Sequence, residues 1–268
     1  MLVNINIVII ITAAILAIGA VYLLYAIIMF QGGKKDAELQ LTTKNVLEQV
    51  KILFDKQEYA LVELLASKYL ERVPSHIEVR RYLAKAYFKS KKLNNTIKQC
   101  LVILKKDPND IDTKKLLGDC YASKQLPNKA IKEYEEIFDR KSNDKEVLRK
   151  LAELYREVEQ TYSSIEVYNI LADLLTDNSE KADVQMILAD LNEEVHDYPA
   201  AFEAYKTRLE IYPTDVITNQ RLAQLYIKIN NTSKAIETLL YMLSFVNEPK
   251  ALLWTYEQLI ELYVETEE

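Results

Sequence analysis

The sequence predicts an all-α chain: one N-terminal transmembrane helix, then an α-solenoid of about six helical hairpins closed by a C-terminal capping helix. Three observations carry this reading. A 34-residue pattern occurs twice in succession between Ile77 and Asp144. Only 4 Gly and 6 Pro stand among 268 residues with 49% hydrophobic side chains, too little turn chemistry for a sandwich or barrel. Residues 2–30 contain no charged side chain.

In the first copy of the pattern, Leu83-Ala84 is followed by Tyr87, Thr96, Cys100, Ile103 and Pro108. The second copy has Leu117-Gly118, Tyr121, Ala130, Tyr134, Ile137 and Ser142 at the same offsets. A small residue after Leu lets two helices approach, and an aromatic three positions later fills the space beside it. Another small residue after the turn lets the second helix lie back on the first, and Pro stops the unit because it cannot extend a helix. Self-similarity at a fixed period is the signature of a stacked repeat.

Taken in order, the chain divides into an anchor with a short joint, residues 1–33, and a repeat body, residues 34–268. From Ile7 to Met29 a helix would reach roughly 34 Å, enough for a hydrocarbon core of about 30 Å. The segment lacks the leading basic residues and small-residue cleavage site of a signal peptide, so an uncleaved anchor is expected. Lys34 and Lys35 follow the span while the N-terminal tail has no Lys or Arg, which places the body in the cytoplasm of a bacterial-type inner membrane. Export of the body to the periplasm is the alternative.

A first, degenerate unit runs from a cap at Thr42 or Thr43 to Pro74, with an inner turn expected to be about one residue short. Units follow at 77–110, 111–144 and 145–178. The fourth carries Leu151-Ala152, Tyr155, Ser164 and Tyr168. A slip of about three residues at Ser179-Glu180-Lys181 precedes units at 182–215 and 216–249, and Asn192 replaces the usual aromatic in the fifth. Residues 250–268 read as an amphipathic cap for the last apolar face.

Charge and motif content narrow the function. A net charge of −6 gives no basic field for nucleic acid, so no nucleic-acid partner is expected. Cys100 and Cys120 have no metal-ligand spacing and read as small core residues, near enough in the repeat for a bridge to be conceivable. His76 and His196 lie at a unit boundary and an inner turn, without a second ligand at metal spacing. The four glycines, Gly19, Gly32, Gly33 and Gly118, form no phosphate loop or nucleophile elbow. Acid pairs such as Glu135-Glu136 and Glu193-Glu194 are ordinary helix surface, and most tyrosines fall on the repeat's core offsets. No catalytic, cofactor or metal site is expected, and the chain reads as non-enzymatic.

The offsets quoted for residues 77–144, repeated to residue 249, resemble the tetratricopeptide repeat over roughly residues 43–268. The resemblance implies a superhelix of paired helices whose first helices line a groove for a protein or peptide partner. Carried onto this sequence, the groove positions are Arg81, Lys85, Phe88 and Lys89 in the second unit, and Asp112, Lys115 and Asp119 in the third. The fourth offers Arg149, Glu153, Arg156 and Glu157, and the fifth Asp183, Met186, Asp190, Glu193 and Glu194. The sixth offers Gln220, Gln224, Ile227 and Lys228. The groove would be basic at its start and acidic toward the fifth unit, so that Arg81, Lys85 and Lys89 suit a carboxylate-bearing segment. The lysine/asparagine clamp some members use for chaperone tails is not reproduced, since Lys85 and Leu116 occupy its asparagine positions. The layout is also similar to that of the lipopolysaccharide assembly protein B family, without the paired CxxC knob of that family. The expectation is therefore a membrane-anchored scaffold that holds a protein at the membrane through residues 7–29. A homo-oligomer joined through the groove or through Trp254 in the cap is the structural alternative.

Overall fold

The computed structural model describes residues 43–139 and 143–265. The anchor expected at residues 7–29 and the cap at Thr42 or Thr43 lie outside the described residues and side chains. Among the described residues no helix is long and apolar enough to cross a membrane. Thirteen helices are described: α1 Thr43–Asp55, α2 Tyr59–Arg72, α3 Ile77–Lys89, α4 Leu93–Lys106, α5 Ile111–Ser123, α6 Pro127–Phe138, α7 Lys145–Glu157, α8 Thr161–Leu174, α9 Asn178–Glu194, α10 Tyr198–Ile211, α11 Val216–Lys228, α12 Thr232–Leu243 and α13 Pro249–Glu265. Residues from Gln49 onward form one unit, and the preceding turns of α1 group separately. From α2 onward each helix lies against the next, and α3 also touches α5, as a stack of hairpins requires.

Each hairpin turns on a residue in the left-handed region: Gln57, Lys91, Gln125, Glu159, His196 and Asn230, with φ between 56° and 61°. None is glycine. The following amide reaches back to close the turn, as from Lys92 to the Tyr87 carbonyl at 2.8 Å and from Leu126 to Tyr121 at 3.0 Å. Together with the bond from the left-handed residue itself, this is the Schellman closure of a helix C-terminus. Gln57 makes the same turn as the others, with Glu58 bonded to Leu53 at 2.9 Å. The expected shortening of the first inner turn is therefore absent. The slip at Ser179-Glu180-Lys181 is also not a break: α9 begins at Asn178 and runs 17 residues where α7 and α11 run 13. The added residues wind one more turn onto its N-terminus, because Asp177 caps the helix early by accepting from the Glu180 amide at 2.8 Å.

First helices start from a side-chain cap. Asp110, Asp144, Asp177 and Asp215 cap α5, α7, α9 and α11, and His76 caps α3 by accepting from the Val79 amide through Nδ1 at 3.2 Å. An oxygen or imine nitrogen at this place satisfies an amide that has no carbonyl inside the helix. The core is built as the repeat predicts: Tyr134, Tyr168 and Tyr205 are fully buried on the second helices, and Ala84, Ala152, Ala189 and Ala223 on the first helices have no exposed surface, Ala84 clustering with Cys100 and Ala223 with Leu239. Ser164 bonds its hydroxyl to the Ala152 carbonyl at 2.9 Å, so the small polar residue after the turn is satisfied where it is buried. Cys100 and Cys120 are buried free thiols. Burial pushes the Cys100 thiol up to about 12, and Cys120 lies 3.2 Å from the Leu93 carbonyl, so both are inert core residues.

Candidate functional site

The first helices α3, α5 and α7 share an open recess of about 410 Å³. Phe88 from α3, Ala122 from α5 and Leu154 from α7 give it apolar walls, and Asp119, Lys150, Glu153 and Glu157 give it charge. Ser123 and the hydroxyl end of Tyr134 complete the lining. Lys150, Glu153, Leu154 and Glu157 share one face of α7 by helical spacing. Four of the residues chosen from the sequence, Phe88, Asp119, Glu153 and Glu157, thus converge on one place.

Their electrostatic roles differ. Asp119 Oδ1 accepts from the Tyr134 hydroxyl and from Lys150 Nζ, both at 2.6 Å. Lys150 also reaches Glu146 at 2.7 Å, and Glu146 and Asp144 share Lys115 at 3.4 and 2.8 Å. Lys115 and Asp119, two expected groove charges, are therefore tied into a network between the third and fourth units. Within it, burial opposes charge on Lys150, but the hydrogen bonds to Asp119 and Glu146 win and raise its pKa. Glu146 is held below the usual carboxylate range by the Lys150 hydrogen bond and charge. Glu153 and Glu157 are exposed and form no ion pair among the described residues.

At the start of the array, Arg81 does not stand free. Its Nη2 lies 2.7 Å from Asp110, the cap of α5, and its Nε lies 3.7 Å from Glu78. Lys85 and Lys89 are exposed, with Lys85 Nζ 5.9 Å from the Tyr82 ring centroid. Farther along, Arg149 pairs with Glu180 at 3.4 Å while Arg156, two turns on along α7, is exposed. Asp190 and Glu194 are exposed, Glu194 accepting from the Thr161 hydroxyl at 3.1 Å. Glu193 is taken by the Tyr205 hydroxyl at 2.6 Å, and Asp183 by Arg208 at 3.3 Å. Met186 and Ile227 are half-buried, and Lys228 lies over the Tyr198 ring at 5.1 Å. Trp254 is half-buried against the terminal core cluster. Fixed repeat offsets do not select Lys150, Leu154, Ala122 or Ser123; the helical face around Glu153 and Glu157 is the signal that finds the first two.

The caps give the body an acid-sensitive element. Burial alone would raise the Asp144 pKa from its ordinary 3.8, but the Lys115 hydrogen bond and the amides of Val147 and Glu146 hold it below that value. Asp215 is likewise burdened by burial, and the Thr218 hydroxyl and Arg208 bring it below 3.8. A depressed folded-state pKa contributes stability that is present above the unfolded value and is lost as pH falls through the folded one. Melting temperature is expected to hold from neutral pH to about 5 and to fall below about 4. An Asp144→Asn/Asp215→Asn double variant should show a smaller fall, measured by circular-dichroism melts across that range; an unchanged slope would exclude these two carboxylates as its source.

A stack of capped helical hairpins with a recess across three first helices defines the class: a helical-repeat solenoid. No protein-family model and no curated protein matches the sequence. Among solved structures, the C-terminal part of a TPR repeat-containing protein from Cytophaga hutchinsonii is 16% identical, covering 81% of this chain and 89% of its own, with a TM-score of 0.63. YrrB, described as a TPR protein with an unusual peptide-binding site, is 13% identical over 68% of this chain and 92% of its own, with a TM-score of 0.56. MamA is 20% identical over 63% of this chain and 90% of its own, with a TM-score of 0.51. At these identities the likeness is one of fold, and the fold is the tetratricopeptide-type solenoid.

Proposed function

We propose that this chain is a non-enzymatic scaffold that binds a segment of a partner protein across α3, α5 and α7 and holds it at a membrane. The observation that carries the reading is the recess itself: apolar walls from Phe88, Ala122 and Leu154 beside two carboxylates, Glu153 and Glu157, with no ion pair among the described residues. An apolar surface with a few convergent charges fits a peptide carrying an apolar anchor and a basic side chain. YrrB, which shares the fold, is described by its peptide-binding site and supports the same use here. Lys85 and Lys89 flank Phe88 on the exposed side of α3 and would meet an acidic part of the same segment. Residues 7–29 supply the anchor, and Lys34 and Lys35 favour a cytoplasmic body at a bacterial inner membrane, a layout similar to the lipopolysaccharide assembly protein B family. Confinement to the surface raises effective concentration, so a weak contact suffices.

The test is site-specific photocrosslinking of the full-length protein in its own membranes. A crosslinker at Phe88 should trap a discrete adduct, and one at Tyr162, exposed on α8, should not. Glu153→Lys/Glu157→Lys is expected to reduce the adduct at least tenfold, about 1.4 kcal/mol of binding. Equal yields from both sites, or an adduct indifferent to the charge reversal, would remove the recess as the site. Protease treatment of spheroplasts bearing a C-terminal tag separately decides the side: a protected tag supports the cytoplasmic body, a digested one the exported alternative.

A further inference from the structure

The fifth hairpin departs from the others at one place. Tyr87, Tyr121, Tyr155 and Tyr226 share one offset in their units, where the fifth carries Asn192. Such a tyrosine reaches the second helix of the preceding hairpin. Tyr155 donates its hydroxyl to Glu135 of α6 at 2.6 Å, and Tyr226 stacks on Phe202 of α10 at 4.7 Å. In three hairpins a lysine of the same unit also covers the ring: Lys92 over Tyr87 at 5.9 Å, Lys129 over Tyr121 at 5.7 Å and Lys234 over Tyr226 at 5.6 Å. These units bring their own cation. The fifth brings none. Ala200 stands at the offset of Lys129 and Lys234, and Asp197 at that of Lys92. On the preceding helix, Asn169 and Ile165 stand at the offsets of Glu135 and Phe202.

The result is a recess of about 320 Å³ shared by α8, α9 and α10. Size does not set it apart, since the matching recess beside Tyr226 is about 510 Å³; the lining does. No basic or aromatic side chain borders it, whereas Asn169, Gln185, Asn192, Asp197 and Glu203 do. Asn192 is 6% exposed, and its Nδ2 donates to the Leu188 carbonyl at 2.8 Å, which fixes the amide. Its Oδ1 is left to the recess and accepts no hydrogen bond among the described residues. A buried acceptor without a donor is costly, so the site suits a ligand that brings donors. Asp197 uses one oxygen on the Ala200 amide at 3.1 Å. Glu203 pairs with Lys206 at 3.0 Å, but both are exposed, and such a pair is weak enough to yield. We propose that this recess binds an arginine side chain of a partner protein, at a second site apart from the recess on α3, α5 and α7. A guanidinium offers five N–H donors in one plane and no acceptor, which matches amide and carboxylate oxygens spread over three helices. An ammonium is a compact point charge and reaches fewer of them. Ala200 and Ala204 leave room for the apolar stem behind the charge. The fifth hairpin thus takes from outside the cation that its neighbours carry within.

Titration of the full-length chain in detergent with a capped alanine–arginine–alanine tripeptide tests the site. The readout is the nitrogen-15 side-chain amide signal of Asn192, identified by its loss in Asn192→Ser. A saturable shift is expected, with a dissociation constant on the order of millimolar for a single side chain. The same peptide with citrulline, which keeps the shape and loses the charge, should bind at least tenfold more weakly. Ala200→Lys, which supplies the internal cation of the other hairpins, should abolish the shift at unchanged melting temperature. Glu203→Gln, at an exposed place, should weaken binding about threefold. No shift at Asn192, equal binding of the citrulline peptide, or an Ala200→Lys chain that binds as wild type each overturns the proposal.

Discussion

Gly118→Ala is expected to destabilise the body by about 2 kcal/mol, although alanine is the better helix former. Inside a helix the change from Gly to Ala is favourable by roughly 0.5–1 kcal/mol. Against this, a Cβ at residue 118 would lie 2.8 Å from Cζ and 2.9 Å from Cε1 of Tyr134. That ring cannot yield: it is 1% exposed, and its hydroxyl is fixed to Asp119 at 2.6 Å. Overpacking of a closed core costs about 1–3 kcal/mol, so the steric effect wins. Ala189 is tolerated at the corresponding place of the fifth unit because the Tyr205 hydroxyl bonds to Glu193, a full turn further on, and not to the adjoining residue. Removing the ring settles the cause. Tyr134→Ala alone should cost about 3–5 kcal/mol, as for other buried aromatics. In that background Gly118→Ala should become stabilising by up to about 1 kcal/mol. Urea titration followed by circular dichroism reads both arms, and a Gly118→Ala penalty that persists without Tyr134 would sink the explanation.

The same residue shows what a linear sequence exposes. Gly118 and the alanines at its offset announce close helix approach, because nothing larger fits there, and the tyrosines that pack over them follow the same period. The turns are less legible. Six residues adopt a left-handed conformation, yet none is glycine, so the Schellman closures at Gln57 and Lys91 leave no mark in composition. For that reason the first unit looks short by one residue when it is in register. The slip at Ser179-Glu180-Lys181 is visible as a change of phase, but phase alone does not say whether added residues loop out or wind into a helix; the cap at Asp177 decides. In the candidate site, Phe88, Asp119, Glu153 and Glu157 are recoverable from repeat offsets. The ties that neutralise Asp119 and Lys115 are not, because they run between units and depend on the direction of long side chains. Trp254 draws attention by its rarity, yet it is half-buried against the terminal core cluster, a place its type alone does not reveal.

Arg81 raises the same issue with a larger consequence. Asp110→Ala is expected to cost about 2–3 kcal/mol, more than the loss of a helix cap. Asp110 is 6% exposed and serves three donors: the Thr113 amide at 3.1 Å, the Thr113 hydroxyl at 2.9 Å and Arg81 at 2.7 Å. The cap contributes about 1 kcal/mol. The remainder comes from the guanidinium left behind, whose Nε is already buried without a hydrogen bond. Because the Arg81 side chain is 27% exposed, water offsets part of that cost and keeps it below the figure for a fully buried charge. Asp110→Asn, which keeps an acceptor for the amide but loses the charge, should fall between wild type and alanine. Arg81→Met combined with Asp110→Ala should recover most of the non-cap loss, since an apolar pair replaces a broken ionic one. If the double variant is as unstable as Asp110→Ala alone, the stranded charge is not the cause. The result bears directly on function. An Arg81→Glu change would set two carboxylates against each other and lower stability whatever Arg81 does for a partner, so any loss of capture would be ambiguous. Lys85 and Lys89, exposed and outside that pair, isolate the docking role: Lys85→Glu/Lys89→Glu should weaken capture at least tenfold at unchanged melting temperature if an acidic segment docks there. Retained capture in the Arg81→Met/Asp110→Ala chain would then assign Arg81 to the joint between the second and third units and leave recognition to the lysines and the recess.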